Sequence, residues 1–156
     1  MFKNALLLAA LCLPATFANA HEFTQGELHI AHPWSQELPP NAPNVAAYFV
    51  VHNNGTADDR LLGVDSPITD RAELHEHVHK DGLMKMQQVP SVVVPAGKDL
   101  VFAPGAYHVM LMQPKDRSLL SDGKHFPLTL HFEKAGDVTV DVAVQKQAPE
   151  GAAHTH

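Results

Sequence analysis

Histidine and methionine lie close together in two short stretches of this chain of 156 residues. In the first stretch, His108, Met110 and Met112 alternate with bulky apolar residues, so a strand here would place all three on one face. The second stretch, His75 to Met86, offers the same two side-chain types. An imidazole beside thioethers is unusual on a solvent face and suits a soft metal ion. The pattern predicts a metal site shared by two strands.

The donor set favours Cu(I). A thioether binds Cu(I) well, discriminates against Zn(II), Mg(II) and Ca(II), and has no proton to lose, so it remains a ligand in acid. Methionine is also a common filler of core gaps, and this reading stays open for Met84 and Met112. His77 and His79 are either a solvated strand face or helpers that gather metal.

The first twenty residues predict a secretory signal peptide. Lys3 gives a positive start, Ala5–Leu13 is an apolar run too short to span a bilayer, and Ala18-Asn19-Ala20 is a cleavage signal. We therefore expect export to the periplasm with cleavage after Ala20, and no membrane span. The expected divisions are the signal peptide 1–20, a copper-binding domain 21–147 and a flexible tail 148–156 that contains histidine.

The single cysteine, Cys12, lies inside this signal. The bulky Leu11 before it argues against lipidation, so the exported protein is expected to lack any thiol. A cupredoxin electron-transfer site needs a cysteine thiolate, which argues against a redox shuttle. The net charge of −6 includes no basic patch for nucleic acid, and the common hydrolase and phosphate-binding motifs are missing from the sequence.

Short alternating segments separated by turn signals predict an all-β fold. Lys80-Asp81-Gly82 is a strong hairpin turn, and Val45–His52 reads as a central strand. We expect one domain, an antiparallel Greek-key β-sandwich or barrel, that follows a polar arm at 21–25. The predicted strands are Leu28–His32, Val45–His52, Arg60–Val64, Arg71–His79, Leu83–Val89, Val92–Val94, Asp99–Phe102, Tyr107–Met112, Phe126–Phe132 and Val138–Val144.

Alternation also predicts how exposed the metal would be. If Val109 and Leu111 face the core, His108 and Met110 lie on the outer side near the rim of the barrel. We therefore expect a shallow site with one side open, or covered only by a movable side chain.

Four of these residues follow a recognisable spacing. Ten residues separate His75 from Met86, twenty-one separate Met86 from His108, and one separates His108 from Met110. This H-x10-M-x21-H-x-M pattern resembles that of the periplasmic PCu(A)C copper chaperones. The similarity extends to the Pro33-Trp34 region and to the strand from Val45, and so covers most of the exported domain.

The resemblance implies a cupredoxin-like barrel and a monomeric carrier of one Cu(I). It assigns His75, Met86, His108 and Met110 as ligands. It also implies delivery of copper to the copper centre of cytochrome c oxidase, often beside a thiol-bearing partner of the Sco type. Some members carry a tail rich in histidine and methionine that binds Cu(II), whereas this tail has only His154 and His156.

Two other functions remain open. One is a periplasmic scavenger or resistance protein that buffers copper. The other is a copper enzyme in which His21, as the new amino terminus, chelates Cu(II) through its α-amine and imidazole. The histidines at the two ends, His21, His154 and His156, are in either case candidates for a secondary Cu(II) site.

Overall fold

The structure is a computed structural model and describes residues 22–150. Over this range the chain consists of short β-strands and the turns and loops between them. The all-β prediction is confirmed, and within that range we find eleven strands and no helix. The strands are β1 Glu22–Gln25, β2 Leu28–Gln36, β3 Asn44–Asn53, β4 Asp59–Asp65, β5 Arg71–Lys80, β6 Leu83–Gln88, β7 Val92–Val94, β8 Asp99–Phe102, β9 His108–Met112, β10 His125–Phe132 and β11 Gly136–Gln145.

Nine strands form one continuous path in the order β6-β5-β9-β3-β2-β11-β10-β4-β7, while β1 pairs with β2 and β8 with β3. All ladders are antiparallel except that between β2 and β11. As predicted, β3 is interior, with β2 on one side and β9 and β8 on the other. The hairpin β5–β6 lies at one end of the path and places both histidine–methionine stretches next to each other.

The core is built by the inward-facing residue of each alternating pair. Leu74, Val109 and Leu111 belong to it, so the faces of β5 and β9 that carry them are turned inward. Phe49 and Phe102 stack at its centre with a ring separation of 4.4 Å. Burying each such side chain contributes roughly 1.5–3 kcal/mol, which is the force that fixes which face of β5 and β9 points away from the core.

The turn of the β5–β6 hairpin sets the register of the face that carries His77 and Met86. Asp81 and Gly82 both have positive φ, 55° and 75°, as a two-residue type I′ turn requires. Asp tolerates this left-handed region and glycine adopts it without strain. Because the turn has two residues, Lys80 pairs with Leu83 and the register runs down the hairpin to His77 opposite Met86.

Two segments differ from the sequence prediction. The expected polar arm forms β1, whose backbone pairs with the free edge of β2. The first long strand does not end at Pro33-Trp34: it continues to Gln36 after a bulge, at which His32 takes a φ of 52° and the register to β3 shifts. The bulge accommodates the missing N–H of the proline, which an unbroken ladder cannot.

His131 ties three neighbouring strands together on the outer surface. Its Nδ1 lies 2.7 Å from Asp137 on β11 and its Nε2 lies 2.6 Å from Asp65 on β4. The hydrogen bond to Asp137 makes the largest contribution to raising the pKa of His131, and the hydrogen bond to Asp65 makes the next largest. The protonated imidazole is therefore favoured in the folded state more than in the unfolded chain.

This arrangement makes stability depend on pH. Because the folded pKa is raised, the stabilisation is complete below the unfolded value of about 6.5 and is lost as the pH rises through the folded value. His131→Asn should therefore reduce the free energy of unfolding more at pH 6 than at pH 8.5, by on the order of 0.5 kcal/mol for a partly exposed pair. Urea titrations at both pH values measure this, and His32→Asn serves as control. An equal loss at both pH values would contradict it.

Candidate metal centre

His75 lies in the middle of β5 and is held by an acid on its own strand. Its Nε2 is 2.7 Å from Glu73 Oε2, and the other oxygen of Glu73 accepts a hydrogen bond of 2.5 Å from Arg71 Nε. Glu73 is only 8% exposed. The hydrogen bond to His75, together with Arg71, lowers the pKa of Glu73 against the effect of burial. The carboxylate thus holds the proton on His75 Nε2, and the buried Nδ1 has no hydrogen-bond partner in the protein.

His108 begins β9 and is the most deeply buried histidine of the site, 2% exposed. Its Nδ1 lies 3.3 Å from the carbonyl oxygen of Ala106, which accepts a hydrogen bond from the ring N–H. Its buried Nε2 has no hydrogen-bond partner in the protein. Burial lowers the pKa of His108, and the nearby rings of His77 and His75 act in the same direction, whereas the bond to Ala106 opposes them. Burial therefore favours the neutral imidazole, in which Nε2 carries a lone pair.

The two free nitrogens belong to paired positions on adjacent strands. His75 is the direct partner of His108 in the β5–β9 ladder, and their ring centroids are 5.5 Å apart. In each ring one nitrogen is fixed by a hydrogen-bond acceptor and the other is free, the arrangement seen in histidines that bind metals. A buried imidazole nitrogen without a partner is costly unless a ligand uses it. This pair is the centre of the candidate site.

Thioethers lie on the same face, one step to either side of this pair. Met110 is opposite Glu73 in the β5–β9 ladder, and Met86 is opposite His77 in the β5–β6 ladder. Directly paired residues share a face of the sheet. Met110 is half-buried, whereas Met86 is 53% exposed. Two imidazoles and two thioethers from three strands therefore lie on one face of the sheet.

The structure thus brings the predicted set onto one face, but not with the expected exposure. His108 is buried rather than exposed near the rim, because the rings of His75 and His77 lie over it, the second at 5.2 Å. The open side is instead at β6, where Met86 lies. The candidate terminal ligands His21, His154 and His156 are outside the described residues.

Sequence reasoning missed two contributors. Glu73, the acid that orients His75, was predicted only as part of a strand, although its position two residues before His75 puts it on the same face. For His77 the sequence left two interpretations open, a solvated strand face or a helper that gathers metal. In the structure its ring lies against that of His108, and the residue is paired with Met86. The signal for both was the alternation of β5, in which a carboxylate precedes three histidines.

Comparison with other proteins places this chain in a family. The family model described as "LpqE-like: Putative lipoprotein LpqE-like" matches residues 28–144. The "Uncharacterized protein RP573" of Rickettsia prowazekii is 26% identical over 80% of this chain and 70% of its own length. The "Putative lipoprotein Lxx21020" of Leifsonia xyli is 36% identical over 64% of this chain and 60% of its own length. Between residues 22 and 150, no helix is long and apolar enough to cross a membrane.

Solved structures with the same fold are copper-binding domains. The copper-bound PCuAC domain from PmoF2 superposes with a TM-score of 0.69 at 29% identity, covering 81% of this chain and 99% of its own. The apo PCuAC domain from PmoF1 gives 0.68 at 32% identity, with coverage of 83% and 100%. The solution structure of CuI-DR1885 from Deinococcus radiodurans gives 0.62 at 25% identity, with coverage of 87% and 88%. These similarities confirm the predicted cupredoxin-like β-barrel.

Replacement of Glu73 tests how the site is organised. In Glu73→Gln the amide can accept from His75 Nε2 or donate to it, so both tautomers of His75 should become populated where Glu73 enforces one. The nitrogen chemical shifts of the His75 ring, measured above pH 8, report this directly. Glu76→Gln on the same strand is the matched control and should leave the shifts unchanged. A single tautomer with protonated Nε2 in Glu73→Gln would show that the carboxylate does not set it.

Proposed function

Because this chain belongs to the LpqE-like family, the family of the PCuAC copper-binding domains, we propose that it is a copper chaperone that carries one Cu(I) between β5, β6 and β9. The observation that carries this proposal is the pair of free, buried ring nitrogens, His75 Nδ1 and His108 Nε2, on directly paired residues. Each nitrogen has a lone pair that no hydrogen bond in the protein uses, and the neighbouring metal-donor side chains on the same face are thioethers.

We assign His75, Met86, His108 and Met110 as the ligands. All four donors are neutral, so they suit a singly charged soft ion better than Zn(II), Mg(II) or Ca(II). Glu73 supplies one negative charge at the distance of a hydrogen bond behind His75, which helps to balance the charge of the bound ion. Within residues 22–150, no group of three or more histidine, cysteine, aspartate or glutamate side chains is placed to hold a metal, and the histidines stand beside methionines instead.

The uneven exposure of the ligands supports transport. His108 is enclosed and His75 is 15% exposed, while Met86 lies on the open strand β6. A partner's ligand can therefore approach from β6 and replace Met86 while the two histidines still hold the ion. Exchange through such a shared intermediate avoids the release of free copper, which a carrier requires and a buffering protein does not.

The compartment and the recipient follow from the same proposal. Relatives described as lipoproteins point to export, and the leader 1–20 directs the chain to the periplasm, with cleavage after Ala20. There we propose a monomer that delivers copper to the copper centre of cytochrome c oxidase, directly or beside a Sco-type thiol protein. A weaker Cu(II) site at His21, His154 and His156 stays a prediction.

The ligand assignment is tested by removing both thioethers. Met86→Ile with Met110→Ile keeps volume and apolarity, so folding should be nearly intact. The Cu(I) affinity, measured anaerobically by competition with a chelator, should fall at least a hundredfold. Val93→Ile, on an exposed position of β7, is the control. An unchanged affinity in the double variant would refute the assignment, and loss of copper on deletion of His21 instead would favour the enzyme hypothesis.

Transfer kinetics test the chaperone role. The copper-loaded protein is mixed anaerobically with the copper-binding domain of the oxidase, and the copper content of each protein is followed over time. Because the acceptor enters the site at β6 before the donor ligands leave, the transfer rate should rise with acceptor concentration. A rate independent of acceptor concentration, set by spontaneous release, would indicate storage. Transfer to a small chelator but not to this domain would indicate a different recipient.

A further inference from the structure

The outer end of the β5–β6 hairpin carries a histidine–methionine pair that the centre described above does not use. His79 and Met84 are direct partners next to the turn, with His79 Nδ1 3.1 Å from Met84 Sδ. Both side chains are exposed, Met84 to 57%. Met84 therefore fills no gap in the core, which is the ordinary structural role of methionine.

This pair lies on the same face as the main centre but too far from His75 and His108 to share the ion that they are proposed to hold. His75, His77 and His79 alternate along β5 and so point to one side of the hairpin. His79 lies four positions after His75 along the strand, a rise of about 13 Å. One metal ion binds donors at only about 2.0–2.3 Å. Side chains of these lengths cannot close that span around a single ion, so the outer pair would form a separate site.

We propose that His79 and Met84 bind a second Cu(I) at the end of the hairpin, more weakly than the main centre. An imidazole nitrogen and a thioether sulfur are the same two donor types, and Cu(I) accepts low coordination numbers. The contact between Nδ1 and the sulfur shows that both donors reach the same point beside the turn, and their exposure leaves them free to move apart and admit an ion. The site is weaker because it has two protein ligands rather than four and both are free to move in solvent.

The pairs form a ladder along the hairpin. His79 with Met84 lies outermost, His77 with Met86 is next, and the main centre at His75 follows, at steps of about 6.6 Å. The outer site therefore lies at the exposed approach to the main centre, two steps from His75. This placement is independent of which protein finally receives the copper.

The test is an anaerobic NMR titration of the full chain, labelled with 13C at the methionine methyl groups, with up to two equivalents of Cu(I) added as its acetonitrile complex. The Met86 and Met110 signals should change with the first equivalent. The Met84 signal should change with the second, with an apparent Kd at least tenfold weaker. In His79→Asn the response of Met84 should weaken at least a further tenfold, while the responses of Met86 and Met110 stay as in the parent.

His32→Asn is the matched control, since His32 is an exposed histidine with a positive φ that asparagine also adopts. It should leave all three responses unchanged. A Met84 signal that stays fixed up to two equivalents, or that moves equally in His79→Asn, would overturn the second site. If Met84 responds while Met86 and Met110 stay silent, the second site stands and the proposed main centre fails.

Discussion

The pairing of β5 with β9, in the register that places His75 opposite His108, is the constraint on which the proposed metal-binding face depends. A slip of one residue would turn every side chain of β5 to the opposite side of the sheet. The register is fixed by the opposite face of the sheet, because Leu74 and its direct partner Val109 are buried in the core there. The apolar half of each strand thus fixes the position of the polar half, and no residue of the site has to supply that stability itself.

The site nevertheless has an energetic cost that the rest of the fold must offset. The free nitrogens of His75 and His108 are buried without partners, and each such group costs about 1–3 kcal/mol. The opposite nitrogen of each ring is hydrogen-bonded, in His75 to Glu73 and in His108 to the carbonyl of Ala106. These bonds prevent the rings from rotating to give the free nitrogens a hydrogen-bond partner. The cost is therefore tied to preorganisation: donors that are already oriented and dehydrated lose less entropy when they bind an ion.

Alternation along the strands was enough to predict the all-β fold and the face shared by His108 and Met110, and the Asp-Gly dipeptide was enough to predict the turn at Asp81-Gly82. It could not predict that His108 is buried, because its cover comes from His75 and His77 on a neighbouring strand, and exposure depends on pairing as well as on period. The strand pairing of the arm at 22–25 was missed for the same reason, since backbone hydrogen bonding to a free edge leaves little trace in side-chain pattern. The role of Glu73 needed a hydrogen bond that only coordinates reveal.

In the proposed copper site, the division between enclosed imidazoles and the exposed thioether of Met86 would let one site hold copper firmly and still release it. The histidines lie on β5 and β9, each paired with a strand on both sides, and their rings are held by Glu73 and by the carbonyl of Ala106. Met86 lies on β6, a strand with neighbours on one side only, whose side chains are all exposed. A thioether there loses little when it leaves, because it returns to a solvent exposure it already has. Departure of copper is thus expected to begin at the edge strand, and the edge of the sheet, usually a liability, becomes the route of exchange.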